Sequence, residues 1–419
     1  MGVNSCGQLL IDEGNFFNTG FLNWDTTAKT ANFTAVNGNG YFVNTTSAAV
    51  TVTLPAGSAG DFIGVSDYAS TSSTNVITIS PNGTDKINGT NDNYTISTKG
   101  IAVSLLYIDS TRGWKAVASN SKDINGPTFI TATGGTITTD GNFKVHTFTS
   151  PGTFCVSSLG NPTGGSSTVD YLVSAGGGGG GGATSWGNAG ASGGGAGGYR
   201  ESSGAASGCY TTSPLGTGVS ALPVSITSYP VTVGGGGAGG PGVNPGSQGS
   251  NSVFSTITSA GGGFGSSQFA ANPGGSGGGG SWCSANLGGT GNTPPVSPPQ
   301  GNPGGDGRVS SPYVSGGGGG ATAAGQPYQP SNGIGASGAG ATSCITGSPL
   351  GRSGGGGSGG GNDTGPGTSG SCGAGDGGDN GSPGTSGIDN RGGGGGGAGR
   401  SGTGGSGGSG IVIIRYKFQ

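Results

Sequence analysis

Over the first 120 residues, apolar and polar positions alternate in short stretches. Val50, Val52 and Leu54 are interleaved with Thr51 and Thr53 until Pro55 breaks the run. Phe62-Ile63-Gly64-Val65 follows, Val76-Ile77-Thr78-Ile79 ends at the turn Pro81-Asn82-Gly83, and the apolar stretch 101–108 turns through 109–113 into Trp114-Lys115-Ala116-Val117. Short β-branched segments of period two, punctuated by turn residues, predict the strands of a sandwich or barrel. The polar stretch 120–127, closed by Gly126-Pro127, reads as a linker. Strands resume with Phe129-Ile130, Ile137, 143–148 and 152–156, and 169–173 leads directly into glycine. No segment shows the 3.6-residue period of a helix.

The glycines divide the chain unevenly. Residues 1–150 hold 17 of the 107, so 107 − 17 = 90 fall in the remaining 269, about one residue in three. Collagen has that proportion but needs strict Gly-X-Y order. Here the glycines come in pure runs, at 176–182, 234–237, 277–280, 316–320, 354–357 and 392–397. The chain then closes on 410–418, Gly-Ile-Val-Ile-Ile-Arg-Tyr-Lys-Phe, its most apolar stretch.

Glycine-rich sequence ordinarily behaves as a flexible coil, and ordering it costs ~1–2 kcal/mol per residue. Three features favour order. An unpaired apolar segment such as 411–416 would aggregate, so it needs a sheet partner, and 169–173 matches it. Pure runs imply that no Cβ is tolerated on any side. The intervening segments carry Trp186, Tyr199, Tyr210, Trp282, Tyr313 and Tyr328, so they are not low-complexity. The ordered state would be a set of extended, left-handed, threefold helices rising ~3.1 Å per residue, parallel-packed and hydrogen-bonded sideways. The expected organisation is therefore a β-rich attachment or oligomerisation domain at 1–122, lead-in strands at 123–175, and a polyglycine II sandwich at 176–419 closed by a strand at 410–418. The fold class is all-β with essentially no helix.

Charge and chemistry narrow the function. Only 7% of residues are charged and the net charge is −3, which argues against a nucleic-acid partner. The start shows no basic-then-apolar signal segment, and no apolar run reaches the ~20 residues of a membrane span, so neither export by a signal nor membrane insertion is expected. His146 is the only imidazole and alternates with Val145 and Thr147 on a predicted strand, so no nucleophilic triad is expected. The carboxylates are mostly single and in turns, which speaks against a glycosidase pair. The six cysteines are too far apart for metal knuckles and read as thiols or one or two disulfides. Asp376 and Asp379 in a glycine-rich stretch lack the nine-residue period of a calcium repeat and read as a turn-rich loop. No catalytic residue, cofactor or metal site is expected.

The segment Val169-Asp170-Tyr171-Leu172-Val173-Ser174-Ala175 before seven glycines, and the ending 410–416, resemble the glycine-rich domain of bacteriophage tail-fibre and virion proteins, particularly of marine and cyanobacterial phages. The approach segments 143–148 and 152–154 fit the same pattern, as do 33–36, 40–44 and 50–57 of the first domain. The resemblance implies a polyglycine II sandwich whose end loops contact the host. It further implies a virion location, non-enzymatic attachment to a host cell-surface glycan or outer-membrane protein, association with other virion tail proteins, and a homotrimer. A structural decoration or filament-forming subunit without a receptor role is the alternative. Trp186, Tyr199, Arg200, Tyr210, Trp282, Tyr313 and Tyr328, the aromatic and basic residues between runs, are the candidate receptor contacts, because loops on a rigid scaffold carry recognition. Phe16, Phe17, Phe21 and Trp24 are candidates for burial between chains or docking on a tail.

Overall fold

The computed structural model describes residues 2–3, 9–10, 22–119, 128–161, 164–184, 189–208, 210–266, 268–283, 287–328, 333–362 and 364–419. It divides into two compact units, 1–127 and 128–419. Of the features expected above, the linker 120–127, Phe16, Phe17, Phe21, Trp186, Cys6 and Cys209 lie wholly or partly outside the described residues.

In the first unit the alternating segments form two sheets. Asn23–Lys29, Asn39–Val43, Phe62–Asp67, Ala102–Asp109 and Gly113–Ser119 make one, and Phe33–Thr34, Val50–Thr53, Ile77–Ser80 and Tyr94–Ile96 the other. Successive strands up to Ile77–Ser80 alternate between the sheets, so neighbours within each sheet run parallel. A parallel pair needs a crossover, and here a strand of the opposite sheet supplies it. This winding differs from an antiparallel sandwich, a distinction that period-two patterning does not carry. Val43, Val50, Val52, Leu54, Ile63, Val65, Ile77, Ile79, Leu105 and Trp114 fill the space between the sheets. Trp24 stands 39% exposed, lying over Gly40 and 5.0 Å from the ring of Phe42.

The second unit joins a β-sandwich to a glycine block. Its first sheet runs Thr136–Asp140, Phe143–Phe148, Ile411–Lys417, Thr168–Ser174, Tyr199–Glu201, with Leu222–Pro223 added against Thr168–Ser174. The closing strand is thus central, antiparallel to both neighbours, with Asp170 opposite Arg415 and Val173 opposite Val412. Both its faces are covered, which is why it reads as a continuous apolar run. Val412, Ile414 and Tyr416 pack with Phe148, Phe154, Val169, Tyr171, Val173 and Phe254 between the two sheets. Ile411 and Ile413 pack on the other side with Val145, Leu172, Tyr199 and Ile345. The second sheet is Thr131–Thr133, Gly152–Ser158, Ser228–Thr232, Ser252–Phe254 and Ile257–Ser259.

His146 is buried in this core. Its Nδ1 lies 2.7 Å from the Gly134 carbonyl, which can only accept, so Nδ1 carries the proton. Nε2 then accepts from the Tyr416 hydroxyl at 3.0 Å. Burial holds the imidazole pKa below its ordinary value and pushes the Tyr416 hydroxyl up to about 12.

Between the sandwich strands, the described glycine-rich segments run up and down as extended chains that hydrogen-bond mainly to one another. The run 175–183 shows the rule. Gly176, Gly179 and Gly182 donate to Ser250, Ser247 and Asn244; Gly177, Gly180 and Ala183 to Gly408, Gly405 and Gly402; Gly178 and Gly181 to Gly195 and Ser192. Its carbonyls accept in the same threefold rotation: Gly176 and Gly179 from Gly262 and Gly265, Gly177 and Gly180 from Gly237 and Gly240, Gly178 and Gly181 from Gly395 and Ala398. All these bonds measure 2.9–3.1 Å. A period of three with no internal bonds is the polyglycine II geometry. The partner numbers fall along the donor rows and rise along the acceptor rows, so donors face antiparallel neighbours and acceptors face parallel ones. The run therefore has six neighbours of alternating direction, where an all-parallel packing was expected. Short reversing loops make consecutive runs antiparallel.

Glycine spacing follows from the number of neighbours. In 176–182 and 316–320 a Cβ on any glycine would land on backbone atoms of an adjacent run. The pure run 234–237 differs. It lies at the edge of the block, a Cβ on Gly235 would meet nothing, and the same open row continues at the exposed Ala238. The run 402–410 likewise carries Thr403, Ser406 and Ser409 every third residue, while Cβ atoms on Gly404, Gly405, Gly407 and Gly408 would strike neighbours. Asp376 and Asp379 occupy such an outward row and accept from the amides of Gly370 and Gly367 at 2.7 and 2.9 Å, so they are part of a run where a turn-rich loop was expected. Cys155, Cys283, Cys344 and Cys372 are not disulfide-bonded.

Two predictions follow from this packing. Gly180→Ala overpacks an interior run and should destabilise the second unit by ~1–3 kcal/mol or more, whereas Gly235→Ala should be neutral or stabilise by about 0.4–1 kcal/mol through the unfolded state. Thermal unfolding of both variants checks the difference.

For His146, the folded pKa is depressed, so above the unfolded value of about 6.5 neither state binds the proton and no penalty exists. As pH falls below that value, the unfolded chain protonates first and stability drops, until the folded pKa is reached. The loss of denaturation midpoint between pH 7.5 and 5.5 should be smaller in His146→Gln than in the wild type.

Candidate binding tip

The direction of each run decides where its loop opens. The run 175–183 leaves the sandwich and ends far from it, and its antiparallel partners start there. Ala183, 241–243, 268–271, 282–283, 287, 308–314, 328, 333–334, 362, 364 and 400–401 consequently lie at the end away from the sandwich. Segments 199–208, 210–233, 251–259, 292–299 and 341–352 lie at the sandwich end.

This separates the residues singled out from the sequence. Trp282, Tyr313 and Tyr328 lie in or beside far-end loops. Trp282 follows Ser281, the last residue of an interior run, where the chain leaves the block and a large side chain first fits. Its ring meets that of Tyr313 edge-on at 5.8 Å. Its indole N–H is buried without a partner. Tyr328 lies under the Arg308 guanidinium, 4.4 Å from ring centroid to Cζ. Arg308 and Val314 pair to close the loop between them, Val314 is buried as its anchor, and Arg308 Nε donates to Ser310 Oγ at 3.0 Å. Nearby, the Asp306 carboxylate accepts from the Gly288 amide at 2.8 Å.

Tyr199, Arg200 and Tyr210 belong to the sandwich end. Tyr199 is 1% exposed and its hydroxyl donates to Glu201 at 2.8 Å. Burial and that carboxylate push its pKa well up. It has no surface to offer a receptor: a strand ending at the mouth of the block buries an aromatic where the sequence suggests a loop. Arg200 is half-buried on the same strand, opposite Val173. Tyr210 packs its ring 5.4 Å from the Arg415 guanidinium, and its hydroxyl is buried without a partner. Asp170 completes this buried polar region, accepting from Ser202 and Ser207 hydroxyls and from the amides of Gly204, Ala206 and Ser207. These groups hold the chain between strands to the sheet.

Residues missed in the sequence also gather at the tip. Of the exposed large apolar side chains of the second unit, Phe269, Leu287, Val309 and Tyr313 sit in far-end loops at 50%, 69%, 50% and 41% exposure, while Ile137, Ile226 and Ile388 do not. The available signal was parity. In an up-and-down array every second loop opens at the same end, so numbering the runs places these residues and Arg308 together. The tip offers aromatic faces, aliphatic side chains and one stacked guanidinium, a surface for contact by rings and apolar groups. Among the described residues no group of three or more His, Cys, Asp or Glu side chains is placed to hold a metal, and no helix is long and apolar enough to cross a membrane.

The family described as "Glycine-rich domain" matches residues 149–417. The match runs from before the strand Gly152–Ser158 through every glycine run to the end of the closing strand Ile411–Lys417. No curated protein matches the chain significantly. Since the matched span is longer than half of the chain and takes in both the block and the strands that seal it, the chain belongs to this glycine-rich domain family.

Proposed function

We propose that this chain is a non-enzymatic bacteriophage virion protein, a tail fibre or adhesin of the marine and cyanobacterial phage type, that attaches to the host cell surface. The observation that carries the reading is the gathering of Trp282, Arg308, Tyr313 and Tyr328, with Phe269, Leu287 and Val309, at the far end of a six-neighbour glycine block. A block without side-chain freedom is a stiff mount, and its end loops present rings at little entropic cost. The partner is a host cell-surface glycan or outer-membrane protein, and the other partners are virion tail proteins. Assembly as a homotrimer through the first unit belongs to the same reading. Arg200 and Tyr210 drop out of the contact set because they lie at the sandwich end, and Tyr199 because it is buried.

A second reading is favoured by the edge run 234–241. Gly235 has open space where a Cβ would project and is exposed, so neighbouring subunits have backbone to bond. On that reading the chain is a decoration or filament subunit without a receptor role.

Virions carrying Trp282→Ala, Arg308→Ala, Tyr313→Ala and Tyr328→Ala together should assemble normally, with an unchanged unfolding temperature, yet adsorb to the host at least tenfold less. Unchanged adsorption would overturn the tip reading. Antibody labelling at tail or fibre ends supports the adhesin, whereas labelling across a capsid or along a homopolymer supports the second reading. Light scattering of the full chain should give three times the monomer mass.

A further inference from the structure

A cleft of about 610 Å³ opens on the outer face of the six-stranded sheet, at the sandwich end of the second unit. It is lined by Asn142, Phe143, Gly165, Ser166, Ala205, Ala206, Gly208 and Lys417. Its size falls within the roughly 300–1,000 Å³ of small-molecule sites. The walls come from residues with little or no side chain, which leaves the space open. Phe143 is its one ring, and two features hold that ring. The Arg415 guanidinium stacks 4.6 Å from its centroid, and Gly208 lies so close that a Cβ there would strike the ring. Arg415 is itself pinned by Asp140 at 2.8 Å and by the Ile345 carbonyl at 3.2 Å. Across the ladder from Phe143 stands Lys417, half-buried, its ammonium 5.6 Å from the centroid of the Phe129 ring and with no carboxylate within salt-bridge distance. No acidic residue lines the cleft, and the adjacent Asp140 is engaged by Arg415. Asn142 and Ser166 are exposed at the rim; Asn142 Oδ1 accepts from Gln419 at 3.3 Å, which leaves its amide N–H groups to donate, and Ser166 Oγ shares a hydrogen bond with Thr168 Oγ1 at 2.6 Å.

We infer that this cleft is a second binding site, separate from the tip, for a short saccharide carrying a carboxylate-bearing sugar. A fixed aromatic ring suits the apolar face of a pyranose. An amide and a hydroxyl satisfy ring hydroxyls, and a lysine that no carboxylate neutralises selects the acid in exchange for its contact with Phe129. The backbone amides of Ala206 and Ser207 are turned away and held by Asp170, so recognition falls to the side chains. The site does not rest on the tip reading, because none of its residues is shared with it.

The test uses the full chain and acidic trisaccharides built on galacturonate, glucuronate and N-acetylneuraminate, with maltotriose as the neutral control. Saturation-transfer NMR and calorimetry should show saturable binding of at least one acidic trisaccharide, tighter than maltotriose and weakened by salt. Lys417→Gln should reduce the affinity at least tenfold, and Ala205→Trp, at an exposed position, should fill the cleft and abolish binding. Both variants should keep the wild-type unfolding temperature. The fourfold tip variant should bind as the wild type does. Absence of saturable binding to every acidic probe overturns the site, as does binding that survives Ala205→Trp. Equal affinity for maltotriose overturns the assignment of the lysine.

Discussion

The second unit depends on one contact: a backbone amide of one extended run reaching the carbonyl of the next, with no Cβ between them. The run 176–182 makes that contact in six directions, so all three residues of its repeat are glycine, and other buried runs admit nothing larger than an occasional Ala or Ser, as at Ala191, Ser192 and Ser358. Glycine pays the largest ordering entropy of any residue, and a single hydrogen bond returns only ~0.5–1.5 kcal/mol net. The block therefore needs nearly every peptide bonded, and a run with an unbonded side survives only at the edge, where solvent supplies the partner. A methyl group in the interior is more damaging than in an ordinary core, because no side chain is present to move aside.

The sandwich solves the problem of closure. Ile411–Lys417 slots between Phe143–Phe148 and Thr168–Ser174, so the strand that enters the block and the strand that leaves it are neighbours in one sheet. Hydrophobic burial around Val173, Val412 and Ile414 thereby clamps the two ends of a segment that has almost no hydrophobic core of its own. Ala183, Ala191 and Ala398 form a small apolar cluster within it. Polar and aromatic groups at the sandwich end, such as Tyr199, Glu201 and Asp170, are consumed in holding the chain, whereas Phe269, Leu287 and Val309 at the far end stand exposed.

Much of this was legible in residue order. The apolar match between 169–173 and 411–416 foretold their pairing, since two buried faces demand a continuous apolar strand. The purity of 176–182 foretold its interior position. The Thr403, Ser406, Ser409 spacing held the same kind of information in weaker form, because one substituted position in three marks one open side. Tyr199 misled because an aromatic beside a glycine run looks like a loop residue, and only the pairing of Tyr199–Glu201 with Thr168–Ser174 shows that it is core.

The open row at Gly235 inside a pure run was not legible, whereas composition and spacing by themselves determined that the chain is β-structured and that its glycine region is ordered and closed by its last strand. These follow from local physics: the period of two in strands, the period of three in glycine helices, and the steric size of one methyl group. The tertiary structure alone decided which runs are neighbours, that they alternate in direction, and that Trp282, Arg308, Tyr313 and Tyr328 share one end while Tyr199, Arg200 and Tyr210 share the other. Glycine runs are interchangeable as sequences, because a hydrogen bond between peptides carries no residue identity. Their order in the lattice is set by the lengths and turns of the loops between them and by the sandwich that holds both ends.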